Sequence, residues 1–152
     1  MNNATLIAFA SRGGVTEEYA SIIADVLRKE YEFNVDVVKI GSNSLDVSLY
    51  NYVIIGSGIR TFRLYREARF FLENTNFSDK LVAIFLSSVE HKDDVLKKYI
   101  KPIMEKKPQL KSVTTEVFGG RMKILRKTIV DMQELDRVKS WAKELGKKLK
   151  KI

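Results

Sequence analysis

From Thr5 to Ala10 the chain is a short apolar run that gives way to Ser11-Arg-Gly-Gly-Val-Thr16. Such a run, closed by glycines, predicts a buried strand followed by a tight turn. From Val15 the apolar positions switch to helical spacing, with Val15, Tyr19, Ile22, Ile23, Val26 and Leu27 on one face. Glu17 and Glu18 suit the positive N-terminal end of that helix. Val35 to Lys39 alternates as an edge strand does, whereas Tyr52 to Gly58 and Leu81 to Leu86 are continuous apolar runs, the pattern of parallel strands covered on both faces. Leu64 to Asn74 and Asp93 to Lys106 return to helical spacing, and Pro102 is expected to kink or break the second. Val113 to Phe118 predicts a fifth strand. Leu135, Val138, Trp141, Ala142, Leu145 and Leu149 predict a closing helix whose lysines gather at its C-terminal end. Gly41 to Tyr50 is short and polar, with room for a turn or two of helix around Ser44 to Leu49.

Strand and helix thus alternate about five times. That order predicts an α/β fold, a doubly wound parallel sheet with helices on both faces and right-handed crossovers. At 152 residues the expectation is one domain over residues 1–152, large enough to bury a core without metal or disulfide.

Composition narrows the chemistry. The chain has no cysteine, which removes disulfides, thiolate metal sites, iron–sulfur ligation and cysteine nucleophiles together. Redox chemistry would need a borrowed cofactor. A lone histidine, His91, argues against a zinc site of the usual His/Cys kind, and the absence of a signal peptide or a long apolar run gives a soluble, cytoplasmic protein with no transmembrane segment as the expectation. The net charge of +8 predicts attraction to anions, although most of the lysines and arginines read as solvated charge mixed among 19 acidic residues.

In an open α/β sheet, ligands bind outside the carboxyl ends of the strands. The relevant loops are then Ser11 to Thr16, Gly58 to Arg63, Ser87 to His91 and Gly119 to Lys123. In the first, Gly13 and Gly14 let the backbone turn its N–H groups toward a helix start, and Ser11 and Thr16 add hydroxyls. The loop has neither the Gly-Lys-Ser/Thr ending of a triphosphate loop nor the Gly-x-Gly-x-x-Gly of dinucleotide binders, so a monophosphate fits best. The same six residues also suit a plain tight turn with a helix cap, and the pattern alone does not choose between the two. No carboxylate pair, Ser/His/Asp set or activated lysine sits at a strand end, so hydrolysis and acyl transfer are not expected.

Ser11-x-x-Gly14-x-Thr16, directly after an apolar N-terminal strand, resembles the phosphate loop of flavodoxins. Tyr52-Val-Ile-Ile-Gly-Ser-Gly-Ile-Arg60 resembles the third strand and following loop of the flavodoxin-type protoporphyrinogen oxidases, and Ser11-Arg-Gly-Gly-Val-Thr16 is similar to their phosphate loop, arginine included. The resemblance implies a flavodoxin-like five-stranded sheet of order 2-1-3-4-5 that holds flavin mononucleotide (FMN) non-covalently. It implies phosphate contacts from Ser11, Arg12, Gly13, Gly14, Val15 and Thr16. Isoalloxazine contacts are implied from Ile59, Arg60, Thr61 and Phe62 and from Ser87, Ser88, Val89 and His91. His91 would cover the flavin or donate near its N1/O2 edge, or it is merely solvated.

Arg60, Arg63, Arg121 and Lys123 fall around the same strand ends and would form a positive rim, which calls for an acidic redox protein or an anionic small molecule as partner. An electron carrier is the leading expectation. A protoporphyrinogen oxidase-type enzyme would use the rim for an anionic substrate. A non-redox module of the same fold is the third class; a signalling receiver would need clustered aspartates where Ala8-Phe-Ala10 stands, and specific nucleic-acid binding would need aromatics interleaved with the basic residues.

Overall fold

The computed structural model describes residues 4–12, 14–41, 45–60, 63–107, 110, 112–120, 122–124, 127–129 and 132–151. Strand β1 (Ala4–Ala10) leads into helix α1 (Val15–Tyr31), which returns to β2 (Asn34–Lys39). Then come β3 (Tyr52–Arg60), the two-residue β4 (Arg63–Leu64), α2 (Arg66–Asn74) and β5 (Leu81–Ser88). A helical stretch follows in three parts: α3 (Lys92–Val95), a π segment (Leu96–Ile100) and α4 (Lys101–Lys106). Strand β6 (Ser112–Gly119), a hairpin of β7 (Met122–Ile124) and β8 (Lys127–Ile129), and α5 (Met132–Lys150) complete the chain.

The parallel strands lie in the order β2-β1-β3-β5-β6, which is the expected 2-1-3-4-5 once the short β4 is set aside. Side chains alternate between the two faces of a strand, so a sheet covered on both sides builds two cores. On one face Ile7, Phe9, Ile54 and Phe85 pack with Tyr19 and Ile23 of α1 and with Trp141 and Leu145 of α5. On the other, Leu6, Val53, Ile55 and Ile84 pack with Phe71 and Leu72 of α2 and with Val95, Tyr99 and Ile103 of the three-part helix. This double burial is why β3 and β5 read as unbroken apolar runs. Gly56 of β3 faces Phe85 of β5 in register, and the Phe85 ring fills the space where a side chain would project; a Cβ at Gly56 would sit 2.1 Å from its tip.

Four local features depart from the sequence expectation. Helix α2 begins at Arg66 and not at Leu64, because Arg63 and Leu64 fold back antiparallel on β3, pairing with Arg60 and Ile59 and burying Leu64. Pro102 does not break its helix; the Lys101 N–H reaches back to the Leu96 carbonyl, a wide π turn just ahead of the residue that has no N–H to give. Residues 45–50 hold no helix, since the Asp46 carboxylate accepts the Ser48 N–H at 2.9 Å and the Tyr50 N–H closes a turn on the Val47 carbonyl, local bonds that compete with helical ones. Between β6 and α5, where the sequence promised only a connection, β7 and β8 pair antiparallel.

Candidate functional site

The carboxyl ends of β1, β3, β5 and β6 lie side by side. After β1, Gly14 stands at the start of the 17-residue α1 with φ 87° and ψ −11°, a left-handed conformation that glycine adopts without strain. Its N–H is accepted by Ser11 Oγ at 3.1 Å, and its carbonyl takes the first helical bond, from the Glu18 N–H at 3.0 Å. By helix geometry the N–H groups of Val15, Thr16 and Glu17 have no acceptor within α1, so they and the helix dipole form a small anion cradle. Thr16 is buried and turns its hydroxyl inward, 2.8 Å from Ser87 Oγ at the end of β5.

The Arg12 side chain engages α2 and Tyr65. Its guanidinium meets Glu67 Oε1 of α2 at 2.5 Å and lies over the Tyr65 ring, 4.7 Å from the centroid. Hydrogen bonding to Arg12 holds the Glu67 carboxyl below its ordinary carboxylate range, against the opposing effect of partial burial. The Tyr65 ring in turn rests on Gly58 of β3, where a Cβ would come within 2.7 Å of it. The Tyr65 N–H is shared between Ser57 Oγ at 3.2 Å and the Gly58 carbonyl at 3.3 Å. Just beyond, Ile59 and Arg60 pair with Leu64 and Arg63, and Arg63 is exposed.

At the end of β5, Ser87 and Ser88 are buried and Val89 projects with 64% of its surface exposed. Ser88 Oγ accepts the Glu90 N–H at 3.0 Å, and the Ser88 carbonyl accepts the Gly120 N–H at 2.9 Å, which ties the end of β6 to this loop. His91 is exposed and caps α3, its Nδ1 accepting the Asp93 N–H at 3.4 Å. The histidine's local duty is therefore helix capping. Gly13, Thr61, Phe62 and Arg121 lie outside the described residues; Lys123 sits in β7, paired with Thr128.

Other residues take part that the sequence did not single out. Glu90 accepts the Tyr99 hydroxyl at 2.8 Å, and Tyr19 donates its hydroxyl to the Gly119 carbonyl at 2.5 Å. Both tyrosines read from the sequence only as members of an apolar helical face. Glu67 carried no signal beyond the start of a helix, while Tyr65 read as an aromatic that the loops offer to a flavin face and here stacks on Arg12. Among the described residues no group of three or more His, Asp or Glu side chains is placed to hold a metal ion.

The donor set fits an FMN-like ligand: backbone N–H groups at a left-handed glycine for a phosphate, and two strand ends with hydroxyls and an exposed valine for a flat ring. A family model described as a flavodoxin domain matches residues 6–145. A probable flavodoxin of Bacillus subtilis is 47% identical over 55 residues, a stretch spanning 34% of this chain and 33% of that protein, so the match covers about a third of the relative's length. Among solved structures, the flavodoxin of Streptococcus pneumoniae TIGR4 superposes with a TM-score of 0.68 at 22% identity, over 95% of this chain and 99% of that one. Oxidised flavodoxin 2 from Bacillus cereus superposes with a TM-score of 0.70 at 20% identity, over the same shares of the two chains. These structures share the fold. With the family model spanning nearly all of its residues, the chain belongs to the flavodoxin domain family, whose cofactor is FMN.

Proposed function

We propose that this protein is an electron carrier of the cytoplasm, one domain that holds FMN non-covalently at the carboxyl end of its sheet. The observation that carries the reading is Gly14, left-handed at the head of α1 and directly beyond β1, where it presents helix-start N–H groups to an anion. Ser11, Gly14, Val15 and Thr16 would hold the phosphate, and Ile59 to Phe62, Ser87 to Val89 and His91 would border the isoalloxazine. When bound, FMN supplies the redox chemistry; the protein binds it, orients it and sets its electrostatic surroundings.

Arg63 is exposed beside the β3 end, where it pairs with Arg60, and in the sequence Arg121 and Lys123 follow β6. A cationic rim favours an acidic redox protein as partner, with encounter steered by charge. Transfer to such a partner is expected to slow as salt rises, and Arg63→Glu is expected to slow it at low ionic strength while Lys148→Glu, on α5, has little effect. A rate that rises with salt would contradict this. No helix among the described residues is long and apolar enough to cross a membrane.

A second reading, an enzyme of the protoporphyrinogen oxidase type, is supported by the likeness of Ser11 to Thr16 and Tyr52 to Arg60 to those enzymes and by the same rim, which suits an anionic substrate. The visible spectrum of the purified protein tests the common core of both readings. Flavin bands are expected, with FMN and not FAD released on denaturation; a colourless protein that takes up no FMN would refute both. Oxidation of an anionic porphyrinogen by the FMN-loaded protein would select the second.

A further inference from the structure

We infer that Arg12 is a positioning residue for the carboxyl end of β3, beside which the isoalloxazine would lie, and not a phosphate ligand, so that it supports binding of FMN and of riboflavin to the same degree. The inference rests on the FMN reading above. Arg12 follows Ser11 in the candidate phosphate loop, where by sequence alone its charge suits an anion. The geometry directs that charge elsewhere. One guanidinium nitrogen is committed to Glu67 Oε1 at 2.5 Å, and the guanidinium plane is stacked on Tyr65. A carboxylate at that distance cancels most of the field that an arginine would exert on a phosphate. Glu67 stands in the first turn of α2, where the helix dipole favours its ionised form and keeps the partner in place.

The contacts run onward in one direction. Arg12 presses on Tyr65, the Tyr65 ring lies against Gly58 with no room for even a Cβ between them, and the Tyr65 N–H bonds Ser57 Oγ and the Gly58 carbonyl. Gly58 precedes Ile59 and Arg60, which pair with β4. Arg12 thus joins the loop after β1 to the base of the β3–β4 hairpin, 55 residues from its ion-pair partner. Its side chain is 40% exposed and that of Glu67 23%, so the latch is solvent-screened and of moderate strength.

The test compares two ligands that differ only in the phosphate. Dissociation constants for FMN and riboflavin are measured by flavin fluorescence on the apo-protein of wild type, Arg12→Met, Arg12→Lys and Glu67→Gln. The expected result is that Arg12→Met weakens both flavins by the same factor, about three- to tenfold, leaving their ratio unchanged. Arg12→Lys, which keeps the ion pair but not the planar stack, is expected to recover part of the loss for both. Glu67→Gln discriminates by sign: a latch loses affinity for both flavins, whereas a phosphate ligand freed from its carboxylate would bind FMN more tightly. The inference is overturned if Arg12→Met costs FMN tenfold or more and leaves riboflavin unchanged, if neither affinity moves, or if Glu67→Gln strengthens FMN binding alone. A wild-type protein that binds neither flavin would remove the FMN reading itself, and that is seen before any variant is made.

Discussion

Thr16 and Ser87, separated by 71 residues in the chain, share a hydrogen bond of 2.8 Å between their hydroxyls in a place closed to solvent. Thr16 belongs to the first turn of α1 and Ser87 to the last residues of β5, so the bond holds the start of α1 and the carboxyl end of β5 at a set separation. Each hydroxyl is the other's partner in a buried position. Removing one leaves the other to lose its bond without gaining water.

Thr16→Val is therefore expected to lower the stability of the apo-protein by about 1–3 kcal/mol, and Ser87→Ala by a similar amount. The double variant should cost clearly less than the sum of the two, since no unpartnered hydroxyl remains. Urea unfolding of the four proteins measures this. Additive losses would mean that the hydroxyls do not depend on one another.

Gly14→Ala would impose a Cβ on a φ of 87°. The expected loss of stability is about 1 kcal/mol or more, because left-handed backbone is strained for a residue with a side chain. The variant should weaken FMN much more than riboflavin, since the helix-start N–H groups act on the phosphate. Paired titrations decide it, and equal losses for the two flavins would place the phosphate elsewhere.

In the core, Gly56→Ala drives a methyl group into the Phe85 ring, which is wholly buried. Over-packing of this kind costs about 1–3 kcal/mol. Phe85→Leu made on the Gly56→Ala background should recover part of the loss, although on its own it leaves a void. A midpoint shift in chemical denaturation reads both effects; failure of the second change to help would show that the strain lies in the backbone.

Tyr99 carries a pH signature. Burial first, and then the hydrogen bond to the Glu90 carboxylate, push its hydroxyl from an ordinary 10.0 up to about 12. Because the folded value is raised, the stabilisation is complete below about pH 10 and is lost as pH climbs toward 12. Wild type should therefore lose stability across that alkaline window more steeply than Tyr99→Phe. Ultraviolet titration of tyrosinate, with unfolding followed in parallel, checks it; parallel curves for the two proteins would show that Tyr99 titrates normally.

The order of elements was written in the sequence because it depends on short-range pattern, and the candidate site was read from the same pattern at the strand ends. Unbroken apolar runs at Tyr52 to Gly58 and Leu81 to Leu86 can be buried only if both faces of the sheet are covered, and a glycine pair between a strand and a helix can hardly avoid an exposed turn. The uses of particular polar side chains were not legible. Arg12 read as an anion ligand and reaches Glu67; Thr16 read as a hydroxyl for the ligand and faces Ser87; His91 read as a flavin contact or a solvated side chain, and it is exposed and also caps a helix. Likewise Leu64 has good helical spacing, but pairing with β3 claims it first. Periodicity reports whether a position meets apolar surroundings or water, and that is decided within a few residues. Which polar group meets which is decided by the crossovers that bring residues 55 and 71 positions apart into contact, and only the folded chain sets those distances.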